Sequence, residues 1–485
     1  MAARRENLAA MRSRGCDPFA QTRYDVDTNV AELLQKYAFL VTGEKAESED
    51  WSIAGRIVSK RDMGKTIFAD LTDRTGRVQL YIRKDEAGEE RFADWKDADI
   101  GDIAGVRGFL FRSQKGELSL HVKSFAILTK SLYPLPDKWH GLTDVEKRYR
   151  QRYVDLIVNP PVRDSFVMRS RLLAEMRRFI DSHGFLEVET PTLLHVAGGA
   201  AARPFVTHVN ALDQAMQLRI ATELNLKRLI VGGMERVYEI GRIFRNEGID
   251  TTHNPEFTML ELYAAYWNVH DMREFNEALV AHLVSVVTGG KDELRIGAHD
   301  VSFKRPFARV EYLEGIAAHG GYTREQLLSP DGAAGILKAL ALPPSPTHGH
   351  ALDKIFERVL EPKLTQPTFV TGYPVIISPL AKRRDGDPDI TDRYELFCTS
   401  MEISNAFTEL NDPDDQRARF EAQMAERAQG DEEIPEPDWD FVRALEYGMP
   451  PTAGIGIGVD RLVMLLTNNP SIRDVILFPL QRQHG

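Results

Sequence analysis

The spacing of apolar residues changes along this chain, and each change predicts a different element. Near the N-terminus Val30, Leu33, Leu34 and Tyr37 recur at helical intervals, which predicts a helical extension over residues 1–48. From Trp51 the period falls to two. Ile53, Gly55 and Ile57 alternate with polar residues, and the runs Ile67–Leu71 and Val78–Ile82 flank the turn Asp73-Arg-Thr-Gly76. Short alternating strands joined by such turns predict a small barrel over residues 49–130, of the OB type. Pro134-Leu-Pro136 opens a linker expected over 131–163, which closes near Asn159-Pro-Pro161. Helical spacing returns at Phe166, Leu173, Met176 and Ile180, stops at Gly184, and yields to the extended run Phe185–Pro191.

Two later runs, Val237–Gly248 and His253–Tyr263, carry charges where a core strand should be apolar. Strand side chains alternate faces, so Glu239, Arg245 and Glu247 are expected on one side of the first strand. Phe257, Glu261 and Tyr263 are expected on one side of the second. Paired as a hairpin, the two would gather an arginine, an aromatic ring and several carboxylates on one surface. Charges there are costly unless paired or used, and a solvated face laced with salt bridges would look similar. Further on, Gly454, Gly456 and Gly458 recur every second residue and leave one strand face bare. Arg461 then opens an apolar, helix-like run. The spacing is not that of a dinucleotide fingerprint. It suits a planar ligand on the bare strip with Arg461 at its phosphates; a tight structural bend is the alternative reading.

Composition narrows the class without naming it. At 485 residues the chain should hold more than one domain, and no apolar run is long enough to span a bilayer. The polar, arginine-rich start lacks the apolar centre of a secretory signal. Cys16 and Cys398 stand far apart, so neither a disulfide framework nor a zinc cluster is indicated, and a reducing cytoplasm is expected. A formal net charge of −11 does not advertise a nucleic-acid binder, but its distribution matters more than its total. Arg4, Arg5, Arg12 and Arg14 would suit RNA phosphates or a solubilising tail equally well.

Taken in order, these stretches resemble motifs 1, 2 and 3 of the class II aminoacyl-tRNA synthetases. Gly198–Phe205, Arg219–Arg228 and Met401–Asn411 are similar to the lysyl-tRNA synthetases of the bacterial type, subclass IIb. The likeness runs from about Trp51 to Pro479. It implies an α+β fold: an N-terminal OB-fold barrel, then a catalytic domain over 164–485 whose antiparallel sheet is flanked by helices. A helical insertion is expected near 290–367, and the acidic tract Gln429–Trp439 reads as a solvated loop. The motif 1 helix and strand would build a homodimer interface.

The resemblance also implies a chemistry. Activation joins an amino-acid carboxylate to the α-phosphate of ATP, and both partners are anions, so cations and Mg²⁺ should carry the rate. Arg245 would bridge the two anions, and Arg461 would hold the γ-phosphate. Phe257 would stack on adenine, with Glu247, His253, Asn254, Gly456 and Gly458 also at the ATP site. Glu395 and Glu402 match the carboxylates that ligate Mg²⁺, up to three ions per subunit. Glu409 and Tyr263, with Glu261 nearby, correspond to partners of a lysine ε-ammonium. Glu223 and Gly199 correspond to the α-amino site, Asn405 to the carboxylate, and Phe407 to the aliphatic stem. On the barrel, Phe68 would stack on an anticodon base of tRNA(Lys), while Arg61, Gln79 and Glu117 bond base edges.

One segment departs from the pattern. Many relatives read Pro-Glu-Leu and an aromatic residue where this chain has Thr222-Glu223-Leu224-Asn225, so packing beside Glu223 is expected to be looser. Ornithine, one methylene shorter than lysine, is discriminated by binding alone only to about 1–3 kcal/mol. Aspartyl and asparaginyl enzymes share both domains but would require a cation where Glu409 stands. Enzymes that lysylate a protein side chain usually lack the barrel. A non-enzymatic relative should have lost Arg245, Arg461 or the paired glutamates, and all are present.

Overall fold

The computed structural model describes residues 1–136, 142–428 and 436–482. The chain divides into two compact units, Met1–Thr143 and Asp144–Gly485. Residues 429–435 of the acidic tract expected as a solvated loop, and 137–141 of the expected linker, lie outside the described residues.

In the first unit, five strands close a barrel in the order β1-β2-β3-β5-β4. They are β1 (Trp51–Asp62), β2 (Thr66–Thr72), β3 (Arg77–Arg83), β4 (Ile103–Arg112) and β5 (Leu118–Thr129). Asp73 makes the β2–β3 turn by accepting from the N–H groups of Thr75 at 2.6 Å and Gly76 at 2.9 Å. The residues expected as a separate extension belong to this unit. Met11, Val30, Leu33 and Tyr37 are buried in the same cluster as Ile53, Ile67 and Leu80, because their apolar stripe has the barrel wall to pack on.

The second unit is built on an eight-stranded sheet. Most neighbours are antiparallel, as expected, but Leu186–Glu187 runs parallel to Arg236–Phe244, and Ala308–Glu311 runs parallel to Thr368–Thr371. Residues 144–159, expected as linker, instead form the helices Val145–Arg150 and Arg152–Val158, and the motif 1 helix starts at Pro160 and runs to Ser182. The segment near 290–367 holds four helices, but also the hairpin Glu293–Ile296/His299–Ser302 and the edge strand Ala308–Glu311. One sheet face is sealed by the helix Val269–Thr288. An Asn268–Asp271 capping box starts this helix, and Gly289 ends it at φ 70°. Leu279 and Leu283 of that helix share a core with Leu260, Leu262, Ala406, Ile455 and Ile457 from the strands. The opposite face is left for polar chemistry.

A buried ion pair ties the start of this unit to its end. Arg152 bonds Asp155 at 2.6 Å with both side chains fully buried, and donates to the carbonyls of Leu477 at 3.0 Å and Arg473 at 2.7 Å. Removing one partner of such a pair leaves an uncompensated charge, so Arg152→Ala should destabilise the protein by about 3–5 kcal/mol. Urea unfolding checks this; a midpoint equal to the parent's would show that the pair contributes nothing.

Candidate active site

On its polar face the sheet carries a cavity of about 610 Å³. Strand alternation decides what reaches it. Along Glu256–Ala265, Leu260, Leu262 and Ala264 enter the core, so Phe257, Met259, Glu261 and Tyr263 line the cavity. The expected hairpin is present, with Ile243 opposite Phe257 and Glu239 opposite Glu261. Its first strand, however, stops at Phe244, so Arg245 and Glu247 stand in the connecting loop and not on the strand face. The Arg245 N–H bonds Pro255 at 2.9 Å and the Asn246 N–H bonds Arg203 at 2.7 Å, which turns the chain out of the sheet. Glu239 stays on the strand as a structural group, held by Arg219 at 2.5 Å and by the Thr190 hydroxyl at 2.7 Å.

Arg245 and Arg461 both line the cavity. The Arg245 guanidinium lies over the Phe257 ring, 5.3 Å from its centroid. Burial holds its pKa below the ordinary value, against the charges of Glu247, Glu402 and Glu261, and Arg461 adds to the lowering. Arg461 sits in the first turn of the helix Val459–Leu466 and bonds Glu402 at 2.9 Å and the His253 ring at 3.1 Å. Buried Asp460 fixes that turn by accepting from Arg169 at 2.5 Å and from the Thr258 N–H at 2.6 Å. His253 is steadied in turn by Asp250, a cavity residue that the motifs did not single out, at 2.8 Å. Asn254 is buried and spans to the Glu256 carbonyl at 2.6 Å.

The glycine strand Thr452–Gly458 lies between Glu256–Ala265 and Met401–Thr408. It is less bare than expected. A Cβ on Gly454 would strike the Glu409 carboxyl and the Tyr263 ring, and one on Gly456 would stand 3.0 Å from Met259. Glycine at 454 therefore makes room for an acid and a ring of the protein itself, not only for a ligand.

One end of the cavity is acidic. Glu223, Glu261, Tyr263, Asn405, Phe407 and Gly199 line it as expected. Gly199, at φ 89°, brings the backbone against Glu223: a Cβ there would lie 3.6 Å from Glu223 Oε2. Glu409 is not itself on the wall. It is buried at 1% exposure behind Gly454 and Tyr263, and its Oε1 has no hydrogen-bond partner among the described residues. Its other oxygen meets Lys227, a fully buried cation the motifs did not flag, which also donates to Glu223 at 2.5 Å. The signal was present in the sequence: Glu223 and Lys227 are four apart on a helix whose neighbouring residues Leu224, Leu226 and Ile230 are core.

Glu261 accepts from the Thr222 N–H at 3.0 Å and from the Tyr263 hydroxyl at 3.3 Å. Burial, then the charge of Glu223, pushes its carboxyl up to about 7. Thr222 occupies the place of the resemblance's proline, which has no N–H to give. Thr222 and Leu224 are buried there, whereas Asn225, in the place of the aromatic residue, is half-buried.

The two expected metal ligands differ in exposure to the cavity. Glu402 lines the cavity, whereas Glu395 does not, being held by Arg393 at 2.5 Å and by the Tyr373 hydroxyl at 2.7 Å. They stand on paired strands around a bulge between Leu396 and Phe397. Burial pushes the Glu395 carboxyl up to about 7; Arg393 opposes this and the charge of Glu402 adds to it. Two repelling carboxylates are a hard-oxygen donor set, the kind Mg²⁺ completes with substrate phosphates. No group of three or more His, Cys, Asp or Glu able to hold a metal occurs among the described residues.

On the barrel, Arg61 lies opposite Phe68 and Phe68 opposite Tyr81. Gln79 is buried; its amide donates to Glu117 at 2.9 Å and its carbonyl accepts from Ser119 at 3.0 Å. Half-buried Phe68 starts an aromatic row: its ring is 5.2 Å from that of Tyr81, which meets Phe111 at 5.5 Å and His121 at 5.1 Å.

Comparison with known proteins fits both units. Residues 51–128 match the OB-fold nucleic acid binding domain, and residues 144–482 match the family of tRNA synthetases class II (D, K and N). The lysine–tRNA ligase of Halalkalibacterium halodurans is 53% identical over 485 residues, spanning 99% of this chain and 96% of its own. That of Bacillus cereus is 51% identical, over 99% of this chain and 96% of its own. That of Staphylococcus aureus is 49% identical, over 100% and 98%. The arginine-bearing cavity, the glycine strand and the barrel thus sit in a chain that belongs to the class II tRNA synthetases of the D, K and N group.

Proposed function

We propose that the cavity activates L-lysine with ATP and that the enzyme is a lysine–tRNA ligase. Lysine and ATP give lysyl-adenylate and pyrophosphate; lysine then passes to the 3′-terminal adenosine of tRNA(Lys). The observation that carries the substrate is the Glu409 carboxylate, buried with Oε1 unpartnered beside Tyr263 and Gly454. A buried anion without a donor is costly, and a substrate ammonium supplies the donor. A carboxylate side chain entering this recess would instead meet Glu223, Glu261 and Glu409.

Arg245 meets the lysine carboxylate and the α-phosphate together, which holds two repelling anions in line. Arg461 takes the far phosphates, and Phe257 takes the adenine face. Mg²⁺, held by Glu402 and Glu395 with the phosphates, would supply charge neutralisation when bound. Asn405, its Oδ1 fixed by Arg393 at 3.0 Å, offers its amide N–H to the lysine carboxylate. The aromatic row led by Phe68 suits an unstacked anticodon base. Val167 and Leu186 of the motif 1 helix and strand, and Val206 on the strand Val206–Val209, are exposed apolar side chains that suit a homodimer interface. A cytoplasmic enzyme of protein synthesis belongs to the same reading, and no described helix is long and apolar enough to cross a membrane.

ATP–pyrophosphate exchange across the twenty amino acids should respond to lysine alone at physiological concentrations; stimulation by aspartate and not lysine would overturn the assignment. Arg245→Ala should lower the exchange rate about 10²–10³-fold, and an unchanged rate would remove Arg245 from the chemistry. Because Glu261 titrates at about 7 and the bound ammonium favours its ionised form, the KM for lysine should rise as pH falls from 8 to 6. In Glu261→Gln that KM should be raised and flat across the range; a parent KM independent of pH would contradict the assignment of Glu261. Leu186→Asp combined with Val206→Asp should sediment as a monomer, and a dimer of undiminished stability would move the interface elsewhere.

A further inference from the structure

Lys227 is the one group of the acidic recess that the proposed chemistry leaves without a task. Its ammonium is fully buried and bridges Glu223, on its own helix, to Glu409, which follows the strand Met401–Thr408. An ordinary i,i+4 pair would have been satisfied by Glu223 alone. The Phe407 and Phe441 rings, 5.4 and 5.6 Å from Nζ, cover the rest of the ammonium. Lys227 therefore touches both acids assigned to the substrate's ammonium groups, and it does so from behind the wall, since it does not line the cavity.

We propose that Lys227 is a specificity-setting positioning residue: from behind the wall it fixes where the Glu223 and Glu409 carboxyls stand, and it brings one positive charge against the three acids of the recess, which matches a ligand with two ammonium groups. With a doubly cationic ligand bound and every acid ionised, Glu223, Glu261 and Glu409 bring three negative charges and Lys227 returns one positive charge. The remainder equals the α- and ε-ammonium groups of lysine, whose carboxylate lies toward Arg245. Burial and the neighbouring acids push the Glu409 carboxyl up, and Lys227 is the chief group opposing that rise. The charged and titratable groups facing this pair are Glu223 on the helix, Glu261 and Tyr263 on the strand Glu256–Ala265, and Arg245 beyond it. Without Lys227 the Glu409 carboxyl would be pushed higher still, and its attraction for an ammonium would weaken.

This inference rests on the lysine reading, and lysine-dependent exchange is measured on the parent first. No lysine response in the parent would sink that reading, whereas a response there together with an unaffected variant would sink only the role of Lys227. Lys227→Met should raise the KM for lysine about tenfold or more at pH 7 while the KM for ATP stays within about twofold. The variant-to-parent ratio of lysine KM should shrink as pH rises, because higher pH favours the ionised Glu409 carboxyl without help from Lys227. A ratio that is flat with pH, or equal increases in both KM values, would show a merely structural role. If Lys227→Met does not fold, the charge-keeping Lys227→Arg decides. A lysine KM whose pH profile matches the parent's supports the proposal, and a profile displaced to alkaline pH overturns it.

Discussion

Carboxylates taken out of water set the terms for this active site. A buried acid must be protonated, paired with a cation, or surrounded by donors, and each outcome gives the site a different property. Glu239 is paired by Arg219 and becomes structure. Glu395 is paired by Arg393 and steadied by Tyr373. Glu409 has Lys227 on one oxygen and nothing on the other, so the fold leaves one acceptor unanswered. Side chains of one chemical type thus take different roles, decided by which cation the tertiary structure delivers.

That delivery depends on the two-residue period of the sheet. The strands Glu256–Ala265, Thr452–Gly458 and Met401–Thr408 put Leu260, Ile455 and Ala406 into the core, and so must put Glu261, Gly456 and Asn405 on the other side. The helix Val269–Thr288 seals the apolar face, and the cavity occupies the polar one. A slip of one residue in Glu256–Ala265 would send Glu261 into the core. Glycine at 454 is part of the same constraint, because the space a side chain would fill already holds the Glu409 carboxyl and the Tyr263 ring.

Local pattern carried much of this in the sequence. The barrel followed from alternation and the Asp73–Gly76 turn; Arg245, Glu247 and Glu261 of the cavity stand out as charges inside strand-like runs, while most of the other expected site residues came only with the family resemblance. What local pattern could not carry was distance. Arg245 was expected on a strand because the run around it reads as extended, but its backbone bonds turn it into a loop. Glu409 was expected on the wall, yet long-range pairing with Lys227, remote in sequence, draws it behind Gly454. Thr222 read as a weakened position because only its side chain was weighed, whereas its backbone N–H makes the contact with Glu261. Segment boundaries failed for a related reason: residues 1–48 and 144–159 are polar enough to read as extension and linker, but each buries an apolar stripe or an ion pair in its own unit.

The cavity is also polarised along its length. Arg245 and Arg461 stand at one end with the loop 245–255, and Glu223, Glu261 and Glu409 gather at the other. Arg461 adds to the lowering of Arg245 and Glu223 raises Glu261, and the pairing of Arg461 with Glu402 and of Lys227 with Glu223 and Glu409 offsets only part of that repulsion. A ligand with a carboxylate at one end and an ammonium at the far end relieves both repulsions at once, and ATP relieves the cationic end further. Neither end alone selects lysine, because many anions would satisfy the arginines and many amines the acids. On the lysine reading proposed above, the separation between the two ends selects for length, and Phe407 and Tyr263 are the aromatic rings that line the cavity together with the acids. Stability given up in gathering like charges is thereby recovered only by a molecule of the right charge pattern and reach, which is how a fold shared by several synthetases can be made specific by a few buried residues.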